Sequence, residues 1–95
     1  MLSLSFPREN LEKVRDVMKE RRLVLNMTQK DAARRSGVNL QTLRLFEQKG
    51  DISFLNLLKL MGLYQMEDRV IRCITDRSWW TLEQLERAEK RKRAR

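Results

Sequence analysis

Thr28-Gln-Lys-Asp-Ala-Ala-Arg-Arg-Ser-Gly37-Val-Asn-Leu-Gln-Thr-Leu-Arg-Leu-Phe-Glu47-Gln-Lys-Gly50 reads as two short helices hinged at Gly37. Thr28 stands at an N-cap position with Asp31 three residues on, so a hydroxyl and a carboxylate can both meet orphan amides of the first turn. Gly37 follows Arg34, Arg35 and Ser36, where a helix ends in the left-handed conformation that a residue without a Cβ adopts most easily. Asn39 then offers a second N-cap and Gly50 a second stop, which frames a helix of about three turns. At roughly 100° per residue, Leu43 and Phe46 share one side of that helix with Thr42 nearby. Gln41, Arg44, Leu45 and Gln48 face the other way. A helix that packs on one side and carries amide and guanidinium groups on the other has what reading the DNA major groove requires. Gln pairs with adenine and Arg with guanine, each for roughly 1–3 kcal/mol of discrimination.

The spacing of Thr28-Gln29, Ala33, Gly37 and Glu47 resembles the phage-repressor-like helix-turn-helix regulators, over about residues 11–63. The resemblance implies an all-α, five-helix lambda-repressor-like domain that binds an operator in double-stranded DNA. It implies a phosphate contact for Gln29 at a helix N-terminus beside Thr28, and base contacts at Leu40, Gln41 and Leu45. The two leucines depart from a polar reader. They can touch thymine methyls but donate no hydrogen bond, which shifts base reading toward Gln41, Thr42 and Arg44, with Asn39 and Lys49 nearer the backbone. The resemblance also implies a partly buried ion pair between Arg22 and Glu47; read from the residues alone, these are equally two surface charges.

The 95 residues, 41% hydrophobic, suffice for one small domain, which buries only ~60–65% of its unfolded surface. With 21 Lys and Arg against 13 Asp and Glu, the net charge is +8 and the pI about 10.4, a balance that favours a polyanionic partner. There is no His and only one Cys. A Cys/His zinc site, a His-based triad and an intrachain disulfide are therefore excluded within one chain. No nucleotide loop and no nucleophile with an adjacent base is visible, so neither an enzyme nor a cofactor is expected. The apolar run from Phe54 to Met66 is broken by Asn56, Lys59 and Gln65, short of the roughly 20 residues of a membrane span. No signal-peptide pattern opens the chain, and a cytoplasmic location is expected.

Around the central stretch, three regions are expected. Residues 1–7 form an arm in which Leu2, Leu4 and Phe6 alternate with serines, either a short strand or a disordered start. Residues 8–74 form the DNA-binding domain. Its first helix starts near Pro7 and runs to about residue 24, with Leu11, Val14 and Met18 inward. A helix capped by Ser53 backs the motif with Phe54, Leu57, Leu58 and Met61. After an interruption at Gly62 and Leu63, a fifth helix carries Met66, Val70, Ile71 and Ile74 on one side, with Cys73 expected as a packed thiol. That stripe has little left to cover except its own core or a second subunit. The resemblance places a homodimer contact there.

Residues 75–95 form a partner-binding segment and basic tail. Thr81 and Gln84 make a capping-box pattern that predicts a short helix through about Ala88. Residues 87–95 carry six positive charges and one negative, a run that is either a solvated tail or a source of phosphate contacts. Trp79 and Trp80 are adjacent and point apart, so either one closes the domain and the other anchors a protein partner, or both cap the dimer core. The appended segment and the alternating N-terminus resemble HipB-type antitoxins, which implies a HipBA-like toxin-antitoxin operon with a kinase-type toxin as partner. The competing readings are a stand-alone phage-type regulator and a basic module that binds RNA or anionic surfaces.

Overall fold

A computed structural model describes residues 6–94. Among them the chain forms six helices and no strand: α1 (Pro7–Val24), α2 (Gln29–Ser36), α3 (Leu40–Lys49), α4 (Phe54–Leu63), α5 (Glu67–Thr75) and α6 (Leu82–Arg93). The expected N-terminal strand falls on residues that lie outside the described ones except for Phe6, which is the extended, exposed residue before α1. The tail helix runs through Arg93 rather than stopping near Ala88, so a full sixth helix follows the five that were expected.

Local chemistry sets the helix ends. Thr28 Oγ1 accepts from the Asp31 amide at 3.1 Å, and Asp31 Oδ2 accepts from the Thr28 amide at 3.3 Å, which closes the capping box of α2. The same exchange between Thr81 and Gln84 opens α6. Asn39 and Ser53 cap α3 and α4 by accepting from the amides of Gln41 and Asn56. Gly37 (φ 80°) and Gly50 (φ 86°) end α2 and α3 in the left-handed region, where a side chain would be strained.

Helix α2 packs against α3 and α4, α1 against α3, and α4 against α5. The core between them is built on Met18, Leu43, Phe46, Leu60 and Tyr64, each at most 1% exposed. Ala32 and Ala33 on the inner side of α2 are also buried, and their small side chains let that helix lie close to its neighbours.

Five expectations are corrected here. Of the three α1 residues expected inward, only Met18 is buried, whereas Leu11 and Val14 are exposed at 40% and 38% because that stretch of the helix is only partly covered by its neighbours. Phe54 shares the wheel position of Leu57 and Met61 but is exposed. It is the first residue of α4, and because Cβ bonds tilt toward the helix N-terminus its side chain projects past the packed layer. Leu60 takes the buried position instead. Gly62 does not interrupt α4, which continues to Leu63 and ends where Gln65 turns left-handed at φ 61°. Cys73 is exposed, not packed. Helix α5 meets the core only through half-buried Val70, with Met66 just before it, and the residues further along are left outside.

Candidate nucleic-acid interface

The inner side of α3 is fixed first, and the outer side follows. Leu43 and Phe46 are buried where α3 packs against α1 and α2, and one turn from Leu43 the Glu47 carboxylate enters the same interior. There Arg22 meets it with two parallel bonds, Nε to Oε2 at 2.7 Å and Nη2 to Oε1 at 2.9 Å. Arg22 Nη1 also donates to the Met27 carbonyl at 2.8 Å. The bond to Glu47 raises the Arg22 pKa above its ordinary value, against the opposing effect of burial. A bidentate guanidinium–carboxylate pair with a further bond on each partner meets the conditions under which a buried pair offsets its desolvation.

The third member of this network was not foreseen. Gln29 Nε2, at the first position of α2, donates to Glu47 Oε1 at 3.0 Å. The two residues that bracket the motif are thus joined across 18 positions, and α1, α2 and α3 are tied at one point. One amide hydrogen of Gln29 is committed inward. The other remains for an acceptor outside, as a phosphate contact at a helix N-terminus needs.

Two arginines of α1 close the far end of α3. Arg8 Nη1 donates to the Lys49 carbonyl at 2.9 Å and to Asp51 Oδ1 at 2.9 Å, while Arg15 Nη1 donates to the Gln48 carbonyl at 3.2 Å. Cations at a helix C-terminus satisfy orphan carbonyls and complement the helix dipole. Nothing in the sequence signals these pairs, because the partners stand 41 and 33 residues apart and no local pattern links them.

With its inner side and both ends held, α3 presents Gln41, Leu45, Gln48 and Lys49 as exposed residues, and Thr42 and Arg44 half-exposed. Leu40 is half-buried and packs against the core, so it is turned further inward than the other reader positions. Asn39 commits its side-chain oxygen to the cap at 2.8 Å and keeps its amide hydrogens. Thr28 keeps its hydroxyl hydrogen while its oxygen caps α2. The Asp31 carboxylate is held below its usual pKa, chiefly by its bonding to Thr28, so it stays ionised inside the capping box. The outer side thus carries amide and guanidinium donors flanked by the start of α2, a surface suited to base edges and phosphates.

The remaining site residues lie elsewhere. Between α1 and α5, Val14, Val17, Met18, Met61, Met66 and Val70 line an apolar groove of about 300 Å³. Beyond it Ile71 and Ile74 are exposed, at 36% and 60%. Trp79 and Trp80 meet edge to face, with ring centroids 6.1 Å apart and planes at 78°. The Arg77 guanidinium stands 6.0 Å from the Trp80 ring centre. Trp80 is half-buried, whereas Trp79 is 76% exposed.

An all-helical domain whose second short helix is locked on its inside and displays polar side chains outside has the arrangement of a helix-turn-helix domain. Residues 18–68, more than half of the chain, match the sequence profile of the helix-turn-helix family, and the chain belongs to that family. Its kind is the phage-repressor-like regulator of transcription, a DNA-binding class. No curated protein and no solved structure matches the chain. Among the described residues no helix is long and apolar enough to cross a membrane.

Proposed function

We propose that two copies of this chain bind an inverted-repeat operator as a homodimer and repress transcription, with the two α3 helices in successive major grooves about 34–36 Å apart. In this reading Gln41, Thr42, Arg44 and Leu45 meet base edges. Thr28, Gln29, Asn39 and Lys49 hold the flanking phosphates, and Leu40 contributes a partial apolar contact. The observation that carries it is the α3 side chains themselves: Leu43, Phe46 and Glu47 are committed to the interior while Gln41, Leu45 and Gln48 are exposed. The groove at Met66 and Val70, with exposed Ile71 and Ile74, supports a second copy as the dimer partner, because so small a domain gains from covering it.

Selection of bound duplexes from a random pool tests this. The expected product is a palindrome with half-sites one helical turn apart. Gln41→Ala and Arg44→Ala should each relax the preference at one base pair per half-site, by roughly 1–3 kcal/mol. A selection that returns no preferred sequence with the folded wild-type protein would rule the reading out.

One observation favours a narrower version, a HipB-type antitoxin that also binds a kinase-type toxin. Trp79 is large, aromatic and 76% exposed beside a shallow hollow of about 260 Å³ that it lines with Trp80 and Gln84, the form of an interface anchor. A kinase-like reading frame adjacent to the gene whose product copurifies, and is lost with Trp79→Ala, is the expected result. Retention of that product by the variant would remove Trp79 from the interface.

A further inference from the structure

Helix α6 is built by local interactions. Its first turn is closed by the Thr81–Gln84 box. Two of its three carboxylates are then spent on its own cations: Glu83 Oε1 accepts from Arg87 Nη2 at 2.7 Å, and Glu89 Oε1 lies 3.6 Å from Lys92 Nζ, while Glu86 is exposed one turn before Lys90. What is left over is positive. Among the described residues Lys90, Arg91 and Arg93 have no carboxylate within ion-pair distance, and all are exposed. Half-buried Leu85 and Ala88 mark one side of the helix. At about 100° per residue, Lys90 falls on the opposite side, with Arg91 and Arg93 on the two flanks.

We infer that the C-terminal half of α6 is a second DNA contact, an arm that binds phosphates of duplex flanking the site read by α3 and adds affinity without adding sequence preference. This rests on the DNA-binding reading above. Three arguments carry it. The cations sit on a formed helix, so less conformational entropy is lost on binding than with a coil of the same charge. They gather in the last turn, where the helix dipole favours cations and where Glu86 and Glu89 balance only part of the charge of Lys90, Arg91, Lys92 and Arg93. The third argument separates nucleic acid from a bilayer. An interfacial membrane helix needs an apolar face along its length, whereas after Leu85 this helix offers only Ala88 and Ala94 as apolar residues.

The test uses the full chain and the triple variant Lys90→Gln, Arg91→Gln, Arg93→Gln, with circular dichroism to show that α6 persists. Binding to two duplexes, one selected as above and one of random sequence, is followed by fluorescence anisotropy between 50 and 200 mM KCl. Three phosphate contacts per protomer, six in the dimer, should lower the slope of log affinity against log salt by about 5.4, so the wild type loses roughly 2,000-fold more affinity across that range than the variant does. The ratio of affinities for the two duplexes should stay the same. An unchanged slope overturns the inference, as does a triple variant that loses discrimination between the duplexes. So does flotation with phosphatidylserine vesicles that the variant abolishes while its DNA slope stays that of the wild type. The two readings fail separately. A wild type without sequence preference whose slope still falls in the variant refutes only the operator reading. A sequence-specific wild type with an unchanged slope refutes only the arm.

Discussion

Helices α3 and α6 are alike as sequences and opposite as structures. Both start at a side-chain cap, both are short, and both end in basic residues. Yet α3 fully buries Leu43, Phe46 and Glu47, while α6 half-buries only Leu85 and Ala88. A helix of this length is marginal alone. Capping and ion pairs decide where such a helix begins and ends, but only packing decides where its outer residues point. In α3 that direction is fixed by an aromatic ring, a leucine and a bidentate ion pair. In α6 the charges are presented by a rod that the core does not hold. The first arrangement suits base reading, which needs atoms placed within a few tenths of an ångström, and the second suits phosphates, which need only charge.

The difference can be broken most directly at the ion pair. Glu47→Ala strands the Arg22 guanidinium among Met27, Gln29 and the core, and should cost about 3–5 kcal/mol in urea unfolding. A loss below 1 kcal/mol would mean that water reaches Arg22 and that α3 is not held from this side. Next in size is Leu43→Ala, expected to cost about 2–5 kcal/mol because the residue is fully buried. The matching change on α6, Leu82→Ala, removes a side chain that is 72% exposed and should move stability by less than ~0.5 kcal/mol. Equal costs at the two positions would erase the contrast.

Alkaline titration sharpens it. The Tyr64 ring is buried, and among the described residues its hydroxyl has no hydrogen-bond partner. Burial, with the Glu47 charge adding to it, pushes its pKa from 10.0 up to about 12. The unfolded chain gives up this proton first, so the contribution is complete below pH 10 and is lost as pH rises toward 12. Stability should fall by up to roughly 1.4 kcal/mol per pH unit in that window. Tyr64→Phe should abolish the slope and should not lower stability at pH 7, since it removes a buried group that makes no bond. Removal of residues 76–95 should leave the slope intact, because α6 contributes no buried titrating group; a slope that vanished with the tail would show that the tail covers Tyr64.

The smallest effects concern the caps. Thr28→Ala should cost about 1 kcal/mol of global stability, whereas Thr81→Ala should reduce helix content by circular dichroism with little change in the unfolding midpoint. The Thr28 change also frees Asp31. Its carboxylate is depressed by Thr28, so its contribution is present above the usual carboxylate range and lost as pH falls through the lowered pKa. The acid limb of the stability curve at this site should flatten in Thr28→Ala. An unaltered limb would mean that Asp31 is held by Arg34 or Arg35 instead.

The helix starts, the glycine stops and the helix-turn-helix pattern are written in local residues. Thr28, Gly37, Asn39, Gly50, Ser53 and Thr81 act on amides, carbonyls and backbone angles within a few residues of themselves, so their meaning is legible without coordinates. The wheel positions of Leu43 and Phe46 are read in the same way. Relations across the chain emerge only when the helices pack: Gln29 joined to Glu47, Arg8 and Arg15 closing the end of α3, Phe54 and Cys73 left outside, and Leu60 and Tyr64 taken in. Periodicity says which side of a helix is apolar, but not how far along that side a neighbouring helix reaches. A long polar side chain carries no mark of a partner some 18 to 41 positions away, because that distance is set by how the helices cross and not by the chain between them.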